Sequence, residues 1–224
     1  MSKLTLYTDS RFPCPQRLQL VILELGLNIT EIHEVDIIKR EQQPEFLDIN
    51  PFGAVPCLQD HSQDPVLVLT ESRAIARYLA DRYGEPNNKL IPNGEIAKAK
   101  FEEAASVELT SFDAVANPLA FEAYFKSQFM NQEPKEQVVK DLKAKLERVL
   151  RLLDQKLSTQ PFMAGEAVTL VDFFYVPYMH CLQDGVSPTL LEAHTNLLAW
   201  WNGMKGRASY RQIYADGNNG IDDA

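Results

Sequence analysis

The chain has 224 residues, 45% of them hydrophobic, which allows one large core or two smaller domains. A net charge of −9 disfavours nonspecific binding to nucleic acid or to an anionic membrane surface. No apolar run approaches the roughly 18 residues of a membrane-spanning helix, and the first residues lack the apolar stretch of a signal peptide. The composition therefore predicts a cytoplasmic protein with no nucleic-acid or membrane partner.

The cysteines and histidines predict neither a disulfide framework nor a metal site. Cys14, Cys57 and Cys181 are far apart and odd in number, which fits a reducing compartment. None of the four histidines stands at ligand spacing from another histidine or from a cysteine. We therefore expect no bound metal.

The first part of the chain predicts alternating strands and helices. Lys3–Tyr7 alternates as a strand does, and the apolar face of the following helix ends at Gly26. Ile32–Ile38 predicts a second strand and Glu45–Ile49 a short helix. Two more strands and a helix follow within Asn50–Tyr83. This order is that of a thioredoxin-like α/β domain.

The segment Asn50–Tyr83 has two features that suit a small peptide ligand. Pro56 stands at the start of a short apolar run, where it leaves the backbone of the preceding Val55 free to pair with an incoming chain. Glu71 and Ser72 open a helix, whose free amides and positive potential suit an anion. An isolated Glu-Ser pair more often only caps a helix, but the Val-Pro bend upstream favours a binding site.

This segment resembles the glutathione site of the cytosolic glutathione transferases, and its Asn-Pro-Phe-Gly and Glu-Ser-Arg-Ala-Ile-Ala-Arg-Tyr motifs resemble the phi class. The resemblance implies that Val55, before a cis Pro56, pairs its backbone with the cysteinyl part of glutathione. It also implies that Glu71 and Ser72 hold the γ-glutamyl end. Glutathione would then be the co-substrate, and the protein would conjugate it to small hydrophobic electrophiles or reduce organic peroxides in detoxification.

The remainder of the chain predicts an all-helical domain. Residues 84–94 are rich in turn formers and predict a linker between domains at 1–83 and 95–224. Apolar residues recur at three- and four-residue steps from Phe101 to Leu119 and again from Val138 to Leu157. Thr169 and Asp172 have the spacing of a capping box and resemble the buried capping motif of the family's helical domain.

The family resemblance also implies an electrophile pocket and a homodimer. The pocket is expected between the domains, lined by apolar side chains of the first loop and of the first long helix of the second domain. The candidate lining residues are Phe12, Phe112, Val115 and Leu119. Residues at helical spacing are more often core than pocket, so both interpretations stay open for the last three.

The loop before Arg17 departs from the phi pattern. The phi catalytic serine lies five residues before the matching arginine, and this chain has Phe12 there, which cannot donate a hydrogen bond to a thiolate. Cys14, in the first turn of the predicted helix, is one substitute, because a thiol pKa is lowered at a helix N-terminus. Ser10 is another. The alternatives are that Cys14 is only a small apolar residue, or that no side chain activates the thiol.

The glycine end of glutathione presents a second departure. The phi pattern has His-Lys shortly before Pro44, where this chain has Glu41 and Gln42. Gln42 keeps a hydrogen-bond donor for the carboxylate, and Lys39 or Arg40 are further candidates on what is otherwise a solvated loop.

Three functions therefore remain. The first is glutathione transfer to electrophiles. The second is a Cys14-dependent thiol transferase that removes glutathione from substrates. The third, which Phe12 favours, is a non-catalytic protein that binds glutathione and hydrophobic ligands.

Overall fold

The computed structural model describes residues 3–85 and 89–214, without the side chains of residues 40–42. The chain divides into two compact units. The first contains the described residues up to Lys89 together with a last helix, Ala208–Tyr214, and the second is Leu90–Arg207.

The place of the last helix differs from the sequence-based division, which gave residues 95–224 to the helical domain. In the structure this helix packs on the first helix of the first unit. Ser209 Oγ donates to a carboxylate oxygen of Glu24, and Tyr214 Oη donates to Gln16 Oε1 at 3.1 Å. These contacts join residues almost two hundred positions apart, so the periodicity of apolar residues along the sequence cannot reveal them.

The first unit is an α/β sandwich with a four-stranded sheet in the order β2-β1-β3-β4, in which β1 and β2 are parallel and the other pairs antiparallel. The order of elements predicted from the sequence is confirmed. The elements are β1 (Leu4–Thr8), α1 (Pro13–Glu24), β2 (Glu31–Glu34), a 3₁₀ turn (Ile37–Gln42), α2 (Pro44–Ile49), β3 (Cys57–Asp60), β4 (Leu67–Thr70), α3 (Ser72–Tyr83) and α10 (Ala208–Tyr214).

The second strand is shorter than the predicted Ile32–Ile38. The amide of Ile37 donates to Asp9 Oδ2 at 3.2 Å, and the amide of Ile38 donates to Asp36 Oδ1 at 3.2 Å. Side-chain carboxylates thus accept hydrogen bonds from the backbone amides that a longer strand would use for pairing.

Strand register brings several loops to one edge of the sheet. Tyr7 of β1 pairs with Cys57 of β3, and Cys57 pairs with Thr70 of β4. Thr8 pairs with Glu34 of the parallel β2. The ends of β1, β2 and β4 and the beginning of β3 therefore meet at the same edge, next to Val55 and Pro56 before β3 and to Glu71 and Ser72 after β4.

A buried carboxylate fixes α3 to β3. Tyr78 Oη donates to Asp60 Oδ2 at 2.6 Å, Tyr83 Oη donates to the same oxygen, and the amide of Ser62 donates to Oδ1 at 2.8 Å. Burial alone would raise the pKa of Asp60, but these hydrogen bonds lower it to about 2. The Asp60 carboxylate is thus charged at neutral pH, and it anchors the second half of α3, which carries Tyr78 and Tyr83, to β3.

The second unit is all-helical. Two π-helical turns, Glu108–Asp113 and Phe121–Phe125, interrupt what the sequence predicted as regular helix; between them Pro118 lacks an amide to donate. No helix of the described residues has the length and hydropathy to cross a membrane. The helices are α4 (Glu95–Val107), α5 (Ala114–Ala120), α6 (Lys126–Met130), α7 (Glu136–Leu157), α8 (Leu170–Gly185) and α9 (Thr195–Lys205).

The predicted capping box at the start of α8 is confirmed and buried. Asp172 Oδ2 accepts from the Thr169 amide at 2.8 Å and from its hydroxyl at 3.2 Å. Asp172 Oδ1 accepts from the amide of Met163 and the indole nitrogen of Trp200, both at 2.9 Å. One carboxylate therefore joins a helix start, the preceding loop and α9.

Candidate functional site at the sheet edge

Helix α1 begins at the sheet edge without a hydroxyl at its N-cap. Phe12 is the N-cap residue, its backbone is extended, and it makes no side-chain capping bond. Pro13 follows at the first helical position, where its missing amide costs nothing. Cys14 comes next and is partly exposed. The first turn therefore offers a thiol two residues after the position of the phi-class serine, which Phe12 occupies.

A buried arginine joins this turn to the start of α3. Arg17 is 0% exposed. Its Nη1 donates to Ser72 Oγ at 2.9 Å and lies 3.4 Å from Cys14 Sγ. Sequence reasoning used Arg17 only as a reference position and missed this role, although an arginine within an apolar helix face was a signal. The structure thus brings together Cys14 and Ser72.

Ser10 lies toward β2 instead. Its carbonyl accepts from Gln16 Nε2 at 3.0 Å, and its amide donates to Glu34 at the end of β2. Burial raises the pKa of Glu34, although the bond from Ser10 acts in the opposite direction. Of the two candidate residues, Cys14 is therefore the one connected to Ser72.

The loop between β1 and α1 is held by charged groups that sequence reasoning also missed. Asp9 is 2% exposed and accepts from Arg11 Nε at 2.8 Å and from Arg11 Nη2 at 2.7 Å. Arg11 Nη2 also donates to Asp36 at 2.8 Å, which lowers the pKa of Asp36. The guanidinium lies 5.7 Å from the ring centre of Phe12. These contacts fix the loop on which Ser10 and Phe12 stand.

The turn before β3 carries the predicted backbone-pairing residue. Asn50 is buried, its Nδ2 donates to the Ala54 carbonyl at 2.7 Å, and its Oδ1 accepts from the Phe52 amide at 3.2 Å. The Val55-Pro56 peptide bond is cis, as the family resemblance implied. Within the described residues the amide and carbonyl of Val55 make no backbone hydrogen bond. They are therefore available to a ligand.

Glu71 has an unusual backbone conformation. Its φ is 70° and its ψ is 108°, a combination that a residue with a side chain rarely adopts and that costs on the order of 1–3 kcal/mol. The side chain is exposed, and the Glu71 carbonyl accepts from the Ile75 amide at 3.0 Å in the first turn of α3. Strain of this kind is common at functional sites.

The other predicted residues have different outcomes. The side chain of Gln42 lies outside the described residues. Phe112 and Leu119 are core residues, 0% and 1% exposed, so they present almost no surface to a substrate. The prediction of an electrophile-lining role rests on the partly exposed Phe12 and Val115 and stays a prediction.

The two remaining cysteines are protonated at neutral pH. Burial raises the pKa of Cys57 to about 11 and that of Cys181 to about 12. Across the described part of the chain, no cluster of three His, Cys, Asp or Glu side chains has the arrangement of a metal site.

Comparison with known proteins agrees with this architecture. Residues 13–82 match the N-terminal domain model of glutathione S-transferases, and residues 112–208 match the C-terminal domain model. Glutathione S-transferase PM239X14 of Arabidopsis thaliana is 36% identical over 208 residues, which cover 90% of this chain and 91% of that protein.

Solved structures agree as well. The apo form of glutathione S-transferase III is 32% identical, covers 96% of both chains and superposes with a TM-score of 0.84. Glutathione S-transferase I bound with lactoylglutathione is 29% identical and has a TM-score of 0.82, covering 95% of this chain and 99% of that one. The thioredoxin-like and helical units are thus those of these enzymes, and the chain belongs to the glutathione S-transferase family, with relatives in the plant F (phi) class.

Proposed function

We propose that this protein is a glutathione transferase that conjugates glutathione to small electrophiles, or reduces organic peroxides with it, at the sheet edge. The strongest support is that two features lie at the same sheet edge. One is Val55, whose backbone amide and carbonyl make no backbone hydrogen bond within the described residues, and the other is the strained Glu71-Ser72 start of α3. The relatives that carry the name glutathione S-transferase support the same reaction class.

The ligand is held by complementary groups in this proposal. The backbone of Val55 pairs with the cysteinyl residue of glutathione, as an added strand pairs with a sheet edge. The Glu71 carboxylate faces the γ-glutamyl ammonium, and the Ser72 hydroxyl with the α3 N-terminus faces the γ-glutamyl carboxylate. Gln42 donates to the glycine carboxylate. Each end of the tripeptide then meets a group of matching charge or hydrogen-bonding capacity.

Cys14 is the group that faces the glutathione thiol in this proposal. It lies in the first turn of α1, whose dipole favours an anion, and beside the Arg17 guanidinium. The Cys14 thiol can donate a weak hydrogen bond to the glutathione thiolate, which then attacks the electrophile. Phe12 contributes an apolar surface and no hydrogen bond.

The contact between Cys14 and Arg17 also favours a second function, thiol transfer. In that reaction the Cys14 thiolate attacks the glutathionyl sulfur of a mixed disulfide and releases the substrate thiolate, which takes up a proton. A glutathione thiolate then attacks the Cys14 mixed disulfide, which frees Cys14 and leaves oxidised glutathione.

Replacing Glu71 with Gln tests the binding site. We expect the Kd for glutathione to rise about 10- to 100-fold, because a charged hydrogen bond worth roughly 1.5–3 kcal/mol is lost while the backbone requirement at residue 71 is unchanged. Isothermal titration calorimetry measures this. Asp81→Asn, which alters an exposed carboxylate on the same helix, is the matched control. Equal Kd values for both variants would remove Glu71 from the site.

We also propose a cellular compartment and an oligomeric state. The three free cysteines support a location in the reducing cytosol. A homodimer is proposed from the family alone, and sedimentation at several protein concentrations tests it.

A further inference from the structure

Two segments of the proposed glutathione site leave the sheet side by side. Backbone pairing of β1 with β2 reaches as far as the bond from the Val35 amide to the Thr8 carbonyl, at 2.7 Å. Beyond it, one segment is the loop that leads to Phe12 and α1, and the other is the 3₁₀ turn Ile37–Gln42. In the proposed function the first segment meets the thiol of glutathione, and the second meets its glycine carboxylate. Side-chain contacts are therefore what can hold the two segments at a fixed distance.

Two carboxylates and one guanidinium join these segments. Asp9 Oδ2 accepts from the Ile37 amide at 3.2 Å and from Arg11 Nη2 at 2.7 Å. Arg11 Nη2 also donates to Asp36 Oδ1 at 2.8 Å, and the same oxygen accepts from the Ile38 amide at 3.2 Å. The connection thus runs from the loop before α1, through Arg11 and Asp36, into the first residues of the turn.

Asp36 contacts the turn at both of its ends. Its carboxylate accepts from the Ile38 amide, and its carbonyl accepts from the Lys39 amide and from Gln43 Nε2, both at 3.0 Å. The Lys39 ammonium lies 3.8 Å from the second carboxylate oxygen. The hydrogen bond from Arg11 lowers the pKa of Asp36, so the carboxylate is ionised at neutral pH. One charged residue thus closes the turn and pairs with the loop.

The loop before α1 does not need Asp36 for its own shape. Arg11 makes a bidentate contact with Asp9, from Nε at 2.8 Å and from Nη2 at 2.7 Å, and Asp9 is 2% exposed. A bidentate pair of this kind has a defined geometry without a third group. The further bond to Asp36, whose side chain is 36% exposed, therefore adds a connection to the turn.

We propose that Asp36 is a positioning residue for glutathione. Held by Arg11, it keeps the turn Ile37–Gln42 at a fixed distance from the start of α1, so that the thiol and the glycine carboxylate of one tripeptide reach their partners together. This role rests on the proposed glutathione site. Asp36 touches neither end of the ligand in this arrangement, and its effect on affinity passes through the turn. Its replacement therefore weakens binding of the glycine end only.

Isothermal titration calorimetry with glutathione and with γ-glutamylcysteinamide, which lacks the glycine residue, tests this role. We expect Asp36→Ala to raise the Kd for glutathione at least about 5-fold and to change that for γ-glutamylcysteinamide less than about 2-fold, because only glutathione uses the turn. Loss of a negative charge would by itself favour the anionic glutathione, so the expected weakening has the opposite sign to a plain charge effect.

Two further variants complete the test. Asp48→Ala makes the same change at an exposed position of α2 and should shift both Kd values less than about 2-fold. Asp36→Asn keeps an oxygen that can accept from Arg11 and from the Ile38 amide, so we expect a smaller rise, again for glutathione alone. Should Asp36→Ala fail to fold, the same comparison of the two ligands is made with Asp36→Asn.

The possible results separate this role from the site on which it rests. Equal weakening of both ligands by a folded Asp36 variant, an unchanged Kd for glutathione, or equal Kd values of the wild type for the two ligands would overturn the proposal. In each of these cases glutathione still binds, so the site around Val55 and Glu71 stands. Failure of the wild type to bind glutathione would refute the proposed glutathione site, and the role of Asp36 with it.

Discussion

Replacement of Cys14 by Ser is expected to lower thiol-transfer activity by about 10³-fold or more, while conjugation is retained. A serine hydroxyl is not ionised near neutral pH and cannot attack a disulfide, so the covalent step is lost. The same hydroxyl can donate a hydrogen bond to the glutathione thiolate. The rate of glutathione release from a model mixed disulfide, beside the conjugation rate with a chloronitrobenzene, measures both effects.

Cys14→Ala completes the comparison, because its methyl group supports neither reaction. We expect conjugation to fall about 10- to 100-fold relative to Cys14→Ser, the equivalent of one hydrogen bond to a charged group. Cys181→Ser, in α8 of the other unit, is the control and should leave both rates unchanged. Full activity of Cys14→Ala in both assays would show that Cys14 is only a small residue of the first helical turn.

Replacement of Asp172 by Ala is expected to destabilise the protein by about 3–5 kcal/mol. The carboxylate accepts from two backbone amides, a hydroxyl and an indole, and the buried Met163 amide and Trp200 indole have no water to replace it. Each buried donor left unsatisfied costs roughly 1–3 kcal/mol. The midpoint of urea denaturation, followed by tryptophan fluorescence because Trp200 touches the site, reports the loss.

Asp184→Ala is the matched control for that measurement. Asp184 lies on the same helix but is exposed, and its contact with His180 Nδ1 at 3.4 Å is worth less than about 1 kcal/mol. A midpoint for Asp172→Ala as high as that of Asp184→Ala would mean that the capping box is not a principal support of the helical unit.

The sequence predicted most where local spacing carries the information. The capping box at Thr169 and Asp172 is a four-residue pattern, and the long helix ending at Leu157 shows its apolar stripe directly. The Val55-Pro56 bend and the Glu71-Ser72 helix start are also local patterns, which predicted a site for a small peptide, and their resemblance to the glutathione transferases implied glutathione as the ligand.

What the sequence missed depends on contacts between distant residues. Arg17 meets Ser72 across 55 positions, and Asp9 meets Ile37 across 28, so no local pattern reveals either contact. Helical periodicity could not separate core from pocket at Phe112, which proved to be core.

We propose that groups at the α1 N-terminus ionise bound glutathione despite Phe12. A pH series of the ultraviolet thiolate absorbance of bound glutathione, on the wild type and on Cys14→Ala, tests it directly. The wild type should lower the pKa of the bound thiol by a unit or more, equivalent to about 1.4 kcal/mol, so the thiolate should appear at lower pH than in free glutathione. Cys14→Ala should lose most of that shift. A bound thiol that titrates as it does in water would contradict the account and leave thiol transfer or ligand carriage as the function.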